Sequence, residues 1–133
     1  MLVMMLDYAH QRAIEALRGF RAAVFVTSGP AGVLANEFPC EANGMILYLL
    51  VPQTSDHLFN LEHDPKVTLL SDGWELKGAA QIVSPVPAEL ELALMRTAEA
   101  KWCALVRVDP RQMQIRKEIG WGNYETFDLK ITP

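Results

Sequence analysis

Apolar positions in the first twenty residues recur at helical spacing. Ala9, Ala13, Ala16, Leu17 and Phe20 share one face, and Gln11, Arg12, Glu15 and Arg18 take the other. With Asp7 as candidate cap and Gly19 as stop, this spacing predicts a helix over residues 8–18. The period then changes. Residues 22–28 are rich in β-formers, Gly29-Pro30-Ala31-Gly32 reads as a turn, and residues 33–38 return as a second strand. Asn43-Gly44 is the strongest hairpin signal, because both residue types tolerate positive φ. It leads into Met45-Ile46-Leu47-Tyr48-Leu49-Leu50-Val51, which is apolar on both faces and predicts a strand covered on both sides.

The stretch from Thr54 to Leu70 reads as a polar turn, a short helix over 56–62, a stop at Pro65 and a strand over 67–71. Asp72-Gly73 turns the chain into a partner strand over 74–83. Beyond Pro85, Pro87 fits the first turn of a third helix over 88–102, with Leu90, Leu94, Ala98 and Trp102 on one face. A strand over 103–108, a turn at Asp109-Pro110 and an alternating edge strand through Met113, Ile115, Lys117 and Ile119 follow. The tail from Tyr124 to Ile131 alternates as well. Six or seven strands and three helices result. Consecutive strands joined by tight turns pair antiparallel. The expected fold is mainly β, of α+β type: a small antiparallel barrel with helices over its ends, in a single domain over residues 1–133.

Composition narrows the function. The chain has 133 residues, half of them hydrophobic, which is enough for a sizeable core and argues against disorder. Twelve Lys and Arg stand against sixteen Asp and Glu, a net charge of −4 with no basic block. Nonspecific binding to nucleic acid or to anionic membrane is disfavoured. Cys40 and Cys103 form no metal or redox spacing, so reduced thiols and a cytoplasmic location are expected. The apolar start, Met1 to Leu6, lacks a basic flank and runs straight into Asp7, which suits neither a signal peptide nor a membrane span.

Candidate chemistry concentrates around residues 54–64. Thr54 and Ser55 place hydroxyls at a helix start, where they cap the helix or meet an anion. His57 and His63 are six positions apart, off a common helix face, so with Glu62 and Asp64 they make no metal spacing. Trp74, Trp102 and Trp121 are candidates for core packing or for stacking on a planar ring, and 120–124 reads as a polar-aromatic loop. Gly29-Pro30-Ala31-Gly32 lacks the lysine and helix start of a phosphate loop. No Ser–His–Asp set or close carboxylate pair stands out, and no catalytic residue is assigned.

Four pieces in order carry a resemblance. They are Val24-Phe25-Val26-Thr27-Ser28-Gly29-Pro30-Ala31-Gly32; Gly44-Met45-Ile46-Leu47-Tyr48-Leu49 with Thr54-Ser55 behind it; Asn60-Leu61-Glu62-His63-Asp64-Pro65-Lys66-Val67-Thr68-Leu69; and Trp74-Glu75-Leu76-Lys77-Gly78-Ala79-Ala80. Over residues 7–108 the chain resembles the pyridoxamine 5′-phosphate oxidase-like, FMN-binding split-barrel family. The resemblance implies a split barrel, a homodimer and FMN in the groove between subunits, with its phosphate near the start of the short helix. It implies Asn36, Thr54, Ser55, His57 and Trp74 as cofactor-contact candidates, and a flavin-dependent oxidoreductase as the leading function. Two positions depart from the family pattern. His57 stands where a lysine is common, and Gly32-Val33-Leu34-Ala35 has no basic residue where an arginine is common. They motivate a second function, a ligand-binding relative that has lost FMN; haem or a deazaflavin are further cofactors of split-barrel relatives.

Overall fold

The computed structural model describes residues 2–116 and 124–129. Helix α1 (Leu2–Leu17) leads into β1 (Phe20–Gly29), β2 (Gly32–Asn43) and β3 (Ile46–Pro52). Then come α2 (Asp56–His63), β4 (Lys66–Ser71), β5 (Trp74–Val83), β6 (Cys103–Arg116) and β7 (Tyr124–Asp128). The sheet order is β3-β2-β1-β4-β5-β6-β7, and a β3–β6 pairing closes the first six strands into an antiparallel barrel. β7 takes the edge of β6 that β3 leaves free: β3 pairs with residues 103–108 and β7 with residues 112–116.

The interior follows from alternation. Ala23 and Phe25 on β1, Leu47, Leu49 and Val51 on β3, Val67 and Leu69 on β4, and Trp74 and Leu76 on β5 all point inward. α1 adds Ala9, Ala13 and Leu17, each four residues from the last and therefore on one face. Burying each large aliphatic side chain contributes about 1.5–3 kcal/mol. β3 is covered on both faces, as its unbroken apolar run predicts. Tyr48 and Leu50 turn away from the barrel and join Leu92, Leu94 and Leu105 in a second cluster.

β2 carries the split. Its residues 40–43 pair with β3, whereas residues 32–39 pair with β1 alone among the described residues. α2 lies at this opening, packed against β1 and β2.

The structure corrects three boundaries. α1 begins at Leu2, so Asp7 lies within the helix and does not cap it. The third helix over 88–102 does not form, leaving two helices. Two short 3₁₀ turns, Ala93–Arg96 and Ala98–Trp102, stand there, separated by an extended Thr97. The Thr97 hydroxyl donates to the Leu94 carbonyl at 2.7 Å, a local bond that competes with helix continuation. Leu92 is also extended, and Leu92 and Leu94 are both buried, which is strand-like spacing. Third, β6 runs unbroken through Asp109-Pro110, because Pro110 sits opposite Gly78 at a register shift. Trp121, Lys117, Ile119 and most of the loop over 120–124 lie outside the described residues.

Candidate functional site

Ser55 opens α2. Its backbone is extended, and its hydroxyl accepts the His57 backbone N–H at 3.2 Å, an N-cap bond. The helix therefore starts with Asp56, and its first turn carries the His57 side chain inward, into the opening of the barrel.

There His57 is almost fully enclosed, with 2 % of its surface exposed. Its ring lies between Phe25 and Phe38, each with its centroid 5.3 Å away. Both ring nitrogens are bonded: Nε2 to Asn36 Oδ1 at 2.8 Å, and Nδ1 to Thr27 Oγ1 at 2.8 Å. Asn60, one turn further along α2, donates through Nδ2 to Thr27 Oγ1 at 3.1 Å and to the Gly32 carbonyl at 3.0 Å. The Ala31 N–H donates to Asn60 Oδ1 at 3.0 Å, tying α2 to the β1–β2 turn.

The bonding pattern assigns the proton positions. Asn36 offers an oxygen, so Nε2 carries the proton. Nδ1 then accepts from the Thr27 hydroxyl, whose oxygen accepts from Asn60. The chain Asn60→Thr27→His57→Asn36 is satisfied with a neutral imidazole. Burial pushes the His57 pKa below its ordinary value of 6.5, and the nearby Asp56 carboxylate opposes this only in part.

The sequence candidates thus separate into three places. His57 and Asn36 come together, with Asn36 reaching in from the stretch of β2 that pairs with β1 but not with β3. Ser55 is committed to the cap, and Thr54 is exposed beside it. Trp74 is elsewhere. It is 4 % exposed in the barrel core and pairs with Ser71 and Ile115, whereas Thr27 pairs with Val67. Four residues of β4 separate those two levels, about 13 Å. The guanidinium of Arg21 lies 5.9 Å from the Trp74 ring centroid. His63, at the far end of α2, bonds the Phe59 carbonyl and is remote from the network. Thr27 and Asn60 are the partners that sequence reading missed. One signal was available for Thr27: a hydroxyl on the inward face of a strand, among Ala23 and Phe25, needs a buried partner.

No family model and no curated protein matches the chain in sequence. Solved structures do match in shape. General stress protein 26 from Bacillus anthracis str. Sterne superposes with a TM-score of 0.65 at 17% identity, covering 95% of this chain and 100% of that one. A protein related to general stress protein 26, of the pyridoxinephosphate oxidase family, from Clostridium acetobutylicum gives a TM-score of 0.58 at 13% identity, with 95% of each chain covered. The chain has the fold of the pyridoxamine 5′-phosphate oxidase-like split barrels. A heme binding protein from Mycobacterium smegmatis shares this split barrel, with a TM-score of 0.64 at 18% identity over 90% of this chain and 57% of that one; the chain thus spans little more than half of that protein.

The split-barrel resemblance places an FMN phosphate at the start of α2, and the residues there do not fit it. A phosphate dianion is best held by cations and by N–H groups at a helix start. Here the Ser55 hydroxyl caps the helix, Asp56 adds an exposed carboxylate, and the His57 ring is turned inside and kept neutral. On β2, Val33 presents an apolar side chain that is 77 % exposed. Each missing charge-assisted bond costs about 1.5–3 kcal/mol. Two such losses weaken binding by roughly 10²–10⁴-fold.

Proposed function

We propose that the chain is a split-barrel ligand-binding protein that has given up the FMN phosphate anchor, the second of the two functions its sequence suggests. The observation that supports this reading most is that both His57 ring nitrogens are bonded to side chains of the protein itself, Nδ1 to buried Thr27 and Nε2 to Asn36 at the rim of the opening. A cofactor-contact side chain needs at least one polar atom facing the ligand. His57 instead joins α2 to β1 and β2, so the family's contact position serves to close the barrel. No flavin step is assigned to these residues, and the oxidoreductase reading gives way to binding.

The test is a visible spectrum of the purified protein, recorded after incubation with FMN and again after desalting. The proposal expects no retained flavin band. A retained band would restore the oxidoreductase reading, and a Soret band after the same treatment with haem would point to haem as the ligand.

The homodimer and the cytoplasmic location belong to the same proposal. Val24, Val26, Val33 and Leu70 stand on the outer face of β1, β2 and β4, where a second copy would cover them. Light scattering that finds a monomer at micromolar concentration would contradict the dimer. Both cysteines are free, which suits a reducing compartment. Recovery of the protein in a secreted fraction would contradict that location.

A further inference from the structure

Three polar side chains stand in one row across the outer face of β3, β6 and β5. Tyr48 on β3 is the direct cross-strand partner of Arg107 on β6, and Arg107 is in turn the partner of Gln81 on β5. Residues in direct register share a face of the sheet, with Cβ atoms about 5 Å apart. On this face Tyr48 belongs to the second cluster, not to the barrel core. The row shares no residue with the face of β1, β2 and β4 given above to a second copy.

A wall beside the row makes it a cavity. After Val83 the chain leaves β5 and borders the row through Pro85, Pro87, Glu89 and Leu90. Three contacts fix this segment. The Leu90 N–H donates to the Pro87 carbonyl at 3.1 Å, Leu92 and Leu94 are buried in the second cluster, and the Leu94 N–H donates to the Glu41 carboxylate at 2.9 Å. The space between wall and row is about 520 Å³.

Two groups in it are set up for a ligand. Arg107 aims Nε and Nη2 at one oxygen of Asp109, at 3.2 and 2.9 Å. That fork fixes the guanidinium plane and leaves Nη1 without a hydrogen bond among the described residues. Tyr48 is 7 % exposed and lines the cavity, yet its hydroxyl makes no hydrogen bond among the described residues. An enclosed phenol of this kind normally has a partner. Arg107 is the one cation of the lining and Glu89 the one carboxylate, and Glu89 forms no ion pair among the described residues. The cavity thus offers one charge of each sign, a free phenol and an apolar wall.

We propose that this cavity binds a free α-amino acid with an apolar side chain. Its carboxylate takes Arg107 Nη1 and the Tyr48 hydroxyl, its ammonium faces Glu89, and its side chain lies against Pro85, Pro87 and Leu90. A plain carboxylic acid would meet repulsion from Glu89, and a plain amine would leave Arg107 unanswered, so the zwitterion complements both charges. This goes beyond the reading at α2 and does not depend on it: retained FMN would overturn that reading and leave this site standing.

The test is calorimetry on the full chain with L-phenylalanine, with phenylpropionate, which lacks the ammonium, and with phenethylamine, which lacks the carboxylate. Phenylalanine should bind saturably, and each comparator roughly tenfold more weakly or worse, the loss of one charge-assisted bond. Tyr48→Phe keeps the ring in the second cluster and removes only the hydroxyl. It and Arg107→Gln should each weaken phenylalanine by roughly tenfold. Glu89→Gln, at an exposed position, should weaken phenylalanine and leave phenylpropionate no weaker. Lys66→Met, an exposed lysine outside the cavity, should change neither. No saturable binding of phenylalanine by the wild type, phenylpropionate binding as tightly as phenylalanine, or equal weakening by Lys66→Met would overturn the proposal.

Discussion

His57 Nδ1 lies 2.8 Å from Thr27 Oγ1, and this bond fastens α2 to the inside of β1. Thr27→Val keeps the shape and removes the hydroxyl. It strands Nδ1 of His57 in an apolar box and leaves Asn60 one acceptor short. Urea unfolding should show a loss of about 1–3 kcal/mol, the cost of an unsatisfied buried group. Thr126→Val, on the exposed face of β7, should change stability by less than about 0.5 kcal/mol. Equal effects of the two substitutions would show that the network contributes nothing specific.

The same box gives stability a pH dependence of known sign. Folding holds the His57 pKa below its unfolded value of 6.5, so below that pH the unfolded chain binds a proton that the folded chain refuses. The full stability from this group is present above pH 6.5. It is lost as pH falls towards the folded pKa, by at most about 1.4 kcal/mol per pH unit for one proton. His57→Gln should flatten the part of the urea-midpoint profile that lies below pH 6.5. A steeper wild-type rise on acidification would contradict the buried neutral imidazole.

Gly29 marks where α2 meets the β1–β2 hairpin. A Cβ there would lie 2.7 Å from Asn60 Oδ1 and 3.1 Å from Asn60 Cα. Gly29→Ala should therefore push Asn60 off the Ala31 N–H and cost about 1–3 kcal/mol. Amide exchange should report it directly, with protection lost at Ala31. Unchanged protection would mean that the helix can shift without breaking the bond.

The two thiols should differ in reactivity. Cys40 is wholly buried in the barrel, and burial pushes its pKa up to about 12. Cys103, half-buried at the start of β6, is raised for the same reason, with Glu99 adding to the effect. Because the thiolate is the nucleophile, a disulfide reagent at neutral pH should modify Cys103 slowly and Cys40 only on unfolding. Rapid modification of both in native buffer would show that the barrel opens readily.

The barrel was legible because its signals are local. Asn43-Gly44 and Asp72-Gly73 place hairpins, and the unbroken run through Leu50 marks a strand covered twice. The stretch Glu89-Leu90-Glu91-Leu92-Ala93-Leu94 reads as a helix in sequence because leucines four apart fit one. Its strict alternation was the better guide, since Leu92 and Leu94 both face the second cluster. Asp109-Pro110 reads as a turn in sequence because the bulge that accommodates it depends on Gly78, some thirty residues away. At the site, the sequence placed His57 in the first turn of the short helix and offered Thr54 and Ser55 as caps or anion contacts, and the structure gives the cap to Ser55. The direction of the His57 ring did not follow from the sequence, since it depends on Thr27 and Asn36 across the barrel. Trp74 could not be placed by residue type, because a ring-stacking and a core tryptophan have the same local pattern.

The most direct test of the closed start of α2 is an FMN titration, read by flavin fluorescence, on wild type and on the double variant Asp56→Ser, His57→Lys. The variant removes the repelling carboxylate and supplies a flexible cation where the imidazole was locked. The expected result is weak or undetectable binding by the wild type, and binding by the variant at least about tenfold tighter, or about 1.4 kcal/mol. Wild-type binding as tight as that of the variant would contradict the assignment of His57 as an internal lock.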